Sequence, residues 1–151
     1  MPRFVERLKK ERLVSDYNRD SFHVEIKHFN ETHMFNIKPD LVLVLPDKAK
    51  FLIEVVNPRD PKRLLGEIVY LQILGSRRLI DNGIIFLLPL GSEHPTAPMK
   101  GFRLSFTSLA TGLEQIFSTK IPCDIASWST TEENNYVNLR GSIIYRPKLH
   151  L

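Results

Sequence analysis

Lys38–Val56, KPDLVLVLPDKAKFLIEVV, reads as two β-strands joined by a short polar turn. Leu41 to Leu45 is one apolar run, closed by Pro46, Asp47 and Lys48; Phe51 to Val56 is a second, closed by Asn57 and Pro58. Apolar runs this short, bounded by turn residues, predict central strands buried on both faces. Each carries one carboxylate where a core residue is expected: Asp40 at the start of the first strand, Glu54 inside the second. A carboxylate in a buried strand is costly unless it is paired, protonated or bound to a metal. Two of them on neighbouring strands are the sharpest chemical signal in the chain.

Upstream, Arg3 to about Tyr17 predicts a helix, with Phe4, Val5, Leu8 and Leu13 as a rough apolar stripe among Glu6, Lys9, Lys10 and Arg12. Its charges read as a solvated face, with Glu6 or Glu11 as exceptions if either turns toward the carboxylates. After a polar break at Asn18–Ser21, Phe22 to Phe29 alternates as a strand, with His23, Glu25 and Lys27 on one face and Val24 and Ile26 on the other. Asn30–His33 is a turn. A strand starting at Met34 or Phe35 then carries Asp40, with Pro39 marking a bulge or an exposed strand end. The expected product is a three-strand meander.

Downstream, Asp60 is a good N-cap and Pro61 a good first helical residue. The helix is expected to run to about Arg78 and, being apolar on most sides, to be well buried. Asp81-Asn82-Gly83 is a turn signal, and Ile84 to Leu88 is a further buried strand ended by Pro89. Strand, helix, strand predicts a crossover that sets this strand parallel to the one carrying Glu54. Beyond it, Gly91–Gly101 is a Pro/Gly-rich loop, Phe102–Phe106 a short strand and Ser108 to about Ser118 a short helix. Ser129–Asn135 reads as a polar loop, and Tyr136–Tyr145 as one or two strands around Gly141.

The 151 residues are expected to form a single α/β domain, residues 1–90 as its core and 91–151 as an extension packed on it. No apolar stretch is long enough to cross a membrane, and the N-terminal MPRFVERLKKERL is too charged for a secretory signal. A single cysteine, Cys123, excludes an internal disulfide and a cysteine-rich metal site. A cytoplasmic protein without membrane association is expected. The formal charge of +4 permits a polyanionic partner without demanding one.

The order of helix, three-strand meander, helix and strand, with Pro39-Asp40 at one strand start and Ile53-Glu54-Val55-Val56 in the next, resembles the PD-(D/E)XK nuclease superfamily. The resemblance covers roughly Pro2 to Leu90 and extends to a helix holding Glu67, Tyr70 and Gln72. It implies a restriction-endonuclease-like αβββαβ core with a mixed sheet flanked by helices. It also implies metal-dependent phosphodiester hydrolysis, with Asp40 and Glu54 as catalytic ligands of Mg²⁺ or Mn²⁺. A nucleic acid is the implied partner, DNA before RNA, and a homodimer is open because many members act as dimers.

One position departs from the family pattern. The lysine expected two residues after the glutamate is Val56, which shares a strand face with Glu54. Three readings follow. A cation from a neighbouring element substitutes, with Lys38, Lys27, Lys62 or Arg59 as candidates; the metal acts without it; or the fold persists without catalysis.

Each candidate also has a plainer explanation. Asp40 fits an exposed strand end, and Glu54 fits a buried glutamate paired with Lys27. Glu67 reads as a helix-surface charge and Tyr70 as core packing. His23, His28 and His33 read as surface histidines. Arg59, Lys62 and Arg63, near the start of the second helix, suit a phosphate backbone or simply solvent. The leading expectation is a nuclease or an inactive nucleic-acid-binding relative of one; the alternative is an adaptor domain that reuses the fold to bind protein.

Overall fold

The computed structural model describes residues 3–57, 61–88 and 123–147. Helix α1, Arg3–Lys10, turns Phe4, Val5 and Leu8 inward. It stops well short of Tyr17 for a local reason. Arg12 takes a left-handed backbone (φ 62). The Leu13 N–H then donates to the Leu8 carbonyl at 3.0 Å, and the Arg12 N–H to that of Lys9 at 3.1 Å. This paired closure satisfies the last carbonyls and reverses the chain. Asp16–Asn18 is thereby released to form a short strand, β1.

Phe22–His28 (β2) and Glu31–Ile37 (β3) pair antiparallel as a two-stranded sheet of their own. Leu41–Val44 (β4) and Lys50–Val56 (β5) form the expected antiparallel pair, with Leu41 opposite Ile53. The expected meander is therefore corrected. The strand from Met34 does not run on into Asp40, because Lys38, Pro39 and Asp40 lie outside any strand and Pro39 has no N–H to continue a ladder. The neighbour of β4 on its outer side is β1, in place of β2.

Helix α2, Pro61–Ser76, leads from β5 to β6, Asn82–Leu87, which lies parallel to β5 as the strand–helix–strand order predicts. It closes as α1 does: Arg78 is left-handed (φ 58), and Leu79 and Arg78 donate to the Leu74 and Gly75 carbonyls, each at 2.9 Å. Gly83 is opposite Leu52 in the β5–β6 ladder. A Cβ there would stand 3.0 Å from the Leu52 carbonyl oxygen, so the close approach favours glycine.

The C-terminal third differs from expectation. Cys123–Ser127 forms β7, parallel to β6, and Glu132–Ile144 forms helix α3. Strands around Gly141 are not formed, and the polar loop ends at Thr131 rather than Asn135. Tyr136, Leu139 and Ile143 recur at helical spacing, and all three are buried. The readings at Gly91–Gly101, Phe102–Phe106 and Ser108–Ser118 lie outside the described residues.

The result is an α/β architecture, with a mixed five-stranded sheet in the order β1-β4-β5-β6-β7 and the β2–β3 hairpin beside it. Alternate residues of each strand serve opposite faces. On one face Leu41, Leu43, Phe51, Ile53, Ile84 and Phe86 pack with α1 and α3. On the other, Val42 and Leu52 pack with Leu71, Leu74 and Ile80, and with Val24 and Ile37 of the hairpin. Burial on both faces is why β4 and β5 read as unbroken apolar runs. Among the described residues, no helix is long and apolar enough to cross a membrane.

Candidate functional site

Asp40 directly precedes β4, and the register that sets Leu41 opposite Ile53 brings it opposite Glu54. The two residues lock together. The Asp40 N–H donates to Glu54 Oε1 at 3.2 Å, and the Val55 N–H donates to Asp40 Oδ2 at 2.8 Å. Glu54 lies on the α2 side of the sheet with Leu52 and Val56 and is only 6 % exposed, whereas Asp40 reaches solvent. The pair therefore joins the interior to the surface.

Burial pushes the Glu54 carboxyl up to about 9. The negative charges of Glu67 and Asp40 add to this, as does a hydrogen bond between the Glu54 and Asp40 carboxyl groups. Only the Asp40 N–H, which favours the ionised form, acts in the opposite sense. At neutral pH Glu54 consequently holds a proton. Among the described residues no cation forms an ion pair with it, so pairing with Lys27 is not what keeps it buried.

The neighbouring candidates separate clearly. Val56 is 0 % exposed and packed inside, so the site has an apolar wall where the family pattern has a lysine. Lys38 is exposed two residues before Asp40. Lys27 is opposite Thr32, one residue pair from the hairpin tip, in a sheet separate from both carboxylates. Lys62 and Arg63 stand in the first turn of α2, and Arg59 lies outside the described residues. Glu6 and Glu11 belong to the α1 side of the molecule. Glu6 accepts from the Tyr17 hydroxyl at 3.0 Å, and Glu11 pairs with Arg7 and Arg140 and accepts from the Tyr136 hydroxyl. His23 shares a hydrogen bond with Asn36 at 2.6 Å, and His33 approaches Glu31 at 3.5 Å, both on the exposed hairpin.

Two residues of α2 depart from expectation. Glu67 is half-buried, and its charge is the largest influence on Glu54 after burial, so it belongs to the site's surroundings and not to a remote helix surface. Tyr70, expected in the core, is exposed. α2 is apolar around most of its circumference, so no stripe in its sequence reveals its rotation.

Among the described residues no group of three or more His, Cys, Asp or Glu side chains is arranged to hold a metal ion. The Asp40–Glu54 pair nevertheless has the right donors for Mg²⁺ or Mn²⁺. Both are hard carboxylate oxygens, and Mg²⁺ is commonly held by one or two carboxylates with water and substrate phosphate completing its shell. Comparisons of the chain with family models, with curated proteins and with solved structures found no match.

Proposed function

We propose that this chain is a nucleic-acid-processing protein: a metal-dependent phosphodiester hydrolase on a restriction-endonuclease-like core, with Asp40 and Glu54 as its catalytic pair. The observation that carries the reading is the hydrogen-bonded carboxyl pair across β4 and β5, with Glu54 kept neutral in the interior. A carboxyl placed at such cost in a strand has a use beyond packing. The order α1, β1, β4, β5, α2, β6 supports the same reading. The first three of these strands are antiparallel and β6 is parallel to β5, with the β2–β3 hairpin inserted between β1 and β4.

In this reading Asp40 and Glu54 would hold Mg²⁺ or Mn²⁺ through their carboxylate oxygens, Glu54 in its deprotonated form. A metal held there would supply Lewis-acid polarisation of a phosphate and activation of the attacking water. Exposed Lys38, beside Asp40, offers the positive charge that Val56 does not, and so stabilises negative charge developing on the phosphate. The buried Val56 favours a second reading, a binding domain that keeps the fold without hydrolysis.

A cleavage assay separates the two. Single-stranded, duplex and branched DNA and RNA are incubated with Mg²⁺ or Mn²⁺ and the wild type, Asp40→Ala, Glu54→Ala or Lys38→Ala. Hydrolysis by the wild type, abolished by either carboxylate substitution and reduced by Lys38→Ala, is the expected result. Binding without cleavage establishes the second reading. Cleavage equal in all four proteins rejects the site.

A further inference from the structure

The β2–β3 hairpin meets α2 over a cavity of about 210 Å³, walled by Val24, Phe35 and Ile37 from the hairpin and by Val69, Tyr70 and Ile73 from the helix. Its walls are wholly apolar. Two of them are aromatic rings left open to solvent, Phe35 at 45 % and Tyr70 at 42 % exposure. The core beneath is closed without them, by Val24, Ile37, Leu71 and Leu74. The cavity is smaller than the ~300–1,000 Å³ clefts that take drug-sized molecules, a size that suits one flat ring system.

Its surroundings say which ring. Tyr70 follows Glu67 by three residues and so lies on the same side of α2, and the charge of Glu67 reaches Glu54. On the hairpin side, Ile37 is three residues from Asp40, with exposed Lys38 between them. Arg77, four residues past Ile73, is exposed and donates from Nη2 to the Glu25 carbonyl at 3.0 Å, which fixes it beside the hairpin. An apolar slot edged by two exposed rings thus has an exposed cation next along the chain from each wall: Lys38 directly after Ile37, and Arg77, held to the hairpin, one turn past Ile73. A ligand that alternates flat rings with phosphates matches that arrangement.

We infer that this cavity receives one unpaired nucleobase of a bound strand, stacked against Phe35 and Tyr70, while Lys38 and Arg77 face its phosphates. The inference rests on the nucleic-acid reading above and adds a base-binding subsite to it. A base can enter only from a single strand or after leaving its duplex. Apolar walls have no hydrogen-bonding groups with which to read a base edge, so the subsite accepts any base, as stacking platforms do.

Fluorescence anisotropy with the full chain tests this, using a short oligothymidylate and a sugar–phosphate strand of equal length without bases, in Ca²⁺ and again in EDTA. The wild type is expected to bind the thymidylate more tightly. Phe35→Ala and Tyr70→Ala should each weaken thymidylate binding roughly 5- to 100-fold and leave the base-free strand unaffected. Tyr70→Phe should retain wild-type affinity, and so should Tyr145→Ala, which removes an exposed ring on the α3 side of the sheet. Equal losses on both strands, or no loss on either, would overturn the subsite and leave nucleic-acid binding intact; the second result is also what a cavity built for a protein side chain would give. Failure of the wild type to bind either strand would reject the nucleic-acid reading and the subsite together.

Discussion

Glu54 makes the stability of this fold depend on pH in a direction opposite to that of most carboxylates. In the unfolded chain its carboxyl ionises near 4.5, and in the fold near 9. Between those values the folded state binds a proton that the unfolded state has released, so stability falls as pH rises through the window. Below 4.5 both states are protonated and the contribution is constant. Each unit of separation corresponds to about 1.4 kcal/mol. Glu54→Gln keeps the shape and the neutral charge while removing the titration. In EDTA, urea unfolding at pH 5, 7 and 9 should show the wild type losing stability relative to Glu54→Gln by about 1 kcal/mol per pH unit. Parallel profiles would mean that Glu54 is already ionised in the fold. The residues behind this effect were legible in sequence, because period-two alternation and a short turn suffice to bring Asp40 beside Glu54. Glu67 was not, since its place depends on the rotation of a helix that is apolar nearly all round.

The β2–β3 hairpin shows how an element can be read correctly and placed wrongly. Alternation from Phe22 identifies a strand, but no local signal says which strand it pairs with beyond its own partner. The competing edge is occupied by β1, three residues hidden in what reads as the end of a helix. The hairpin instead docks through one face, with Val24 and Ile37 buried against α2 residues while Met34 stays outside. Truncation separates the two positions. Ile37→Ala should cost about 2–5 kcal/mol, as for other buried large-to-small changes, whereas Met34→Ala should stay within about 0.5 kcal/mol of wild type. Urea unfolding midpoints measure both, and similarly small effects would show that the hairpin does not depend on α2 for its position. Helix α3 carries the complementary lesson. Val137, Ile143, Ile144 and Tyr145 around a glycine have strand character, yet Tyr136, Leu139 and Ile143 close the core only as a helix, so tertiary burial outweighs weak local preference.

At the scale of the molecule, the sheet does not stop where the nuclease-like resemblance does. β7 covers the outer edge of β6 with a parallel ladder from Cys123 to Ser127, and α3 contributes Tyr136, Leu139 and Ile143 to the same cluster as α1, β4, β5 and β6. The single tryptophan, Trp128, sits edge-on to Phe86 at 5.2 Å and to Phe4 at 6.0 Å between ring centroids, so it touches both a central strand and the first helix. Arg7 of α1 stacks over Tyr136 at 3.7 Å and pairs with Glu133 at 2.7 Å. A piece comprising residues 1–90 would expose the apolar side of β6, bare its parallel edge and leave α1 half covered. Small domains retain little net stability after conformational entropy is met, and losing one wall of the larger core removes more than that margin. The 1–90 piece should therefore lack a cooperative urea transition. In the full chain, Trp128 fluorescence and far-UV circular dichroism should report coincident midpoints, as expected of one cooperative unit. A cooperative transition in the short piece, or a Trp128 midpoint well below the dichroism midpoint, would instead make β7 and α3 an appendage. The candidate site would then stand on a self-sufficient core, and substitutions such as Leu139→Ala would destabilise that appendage without reaching Asp40 and Glu54.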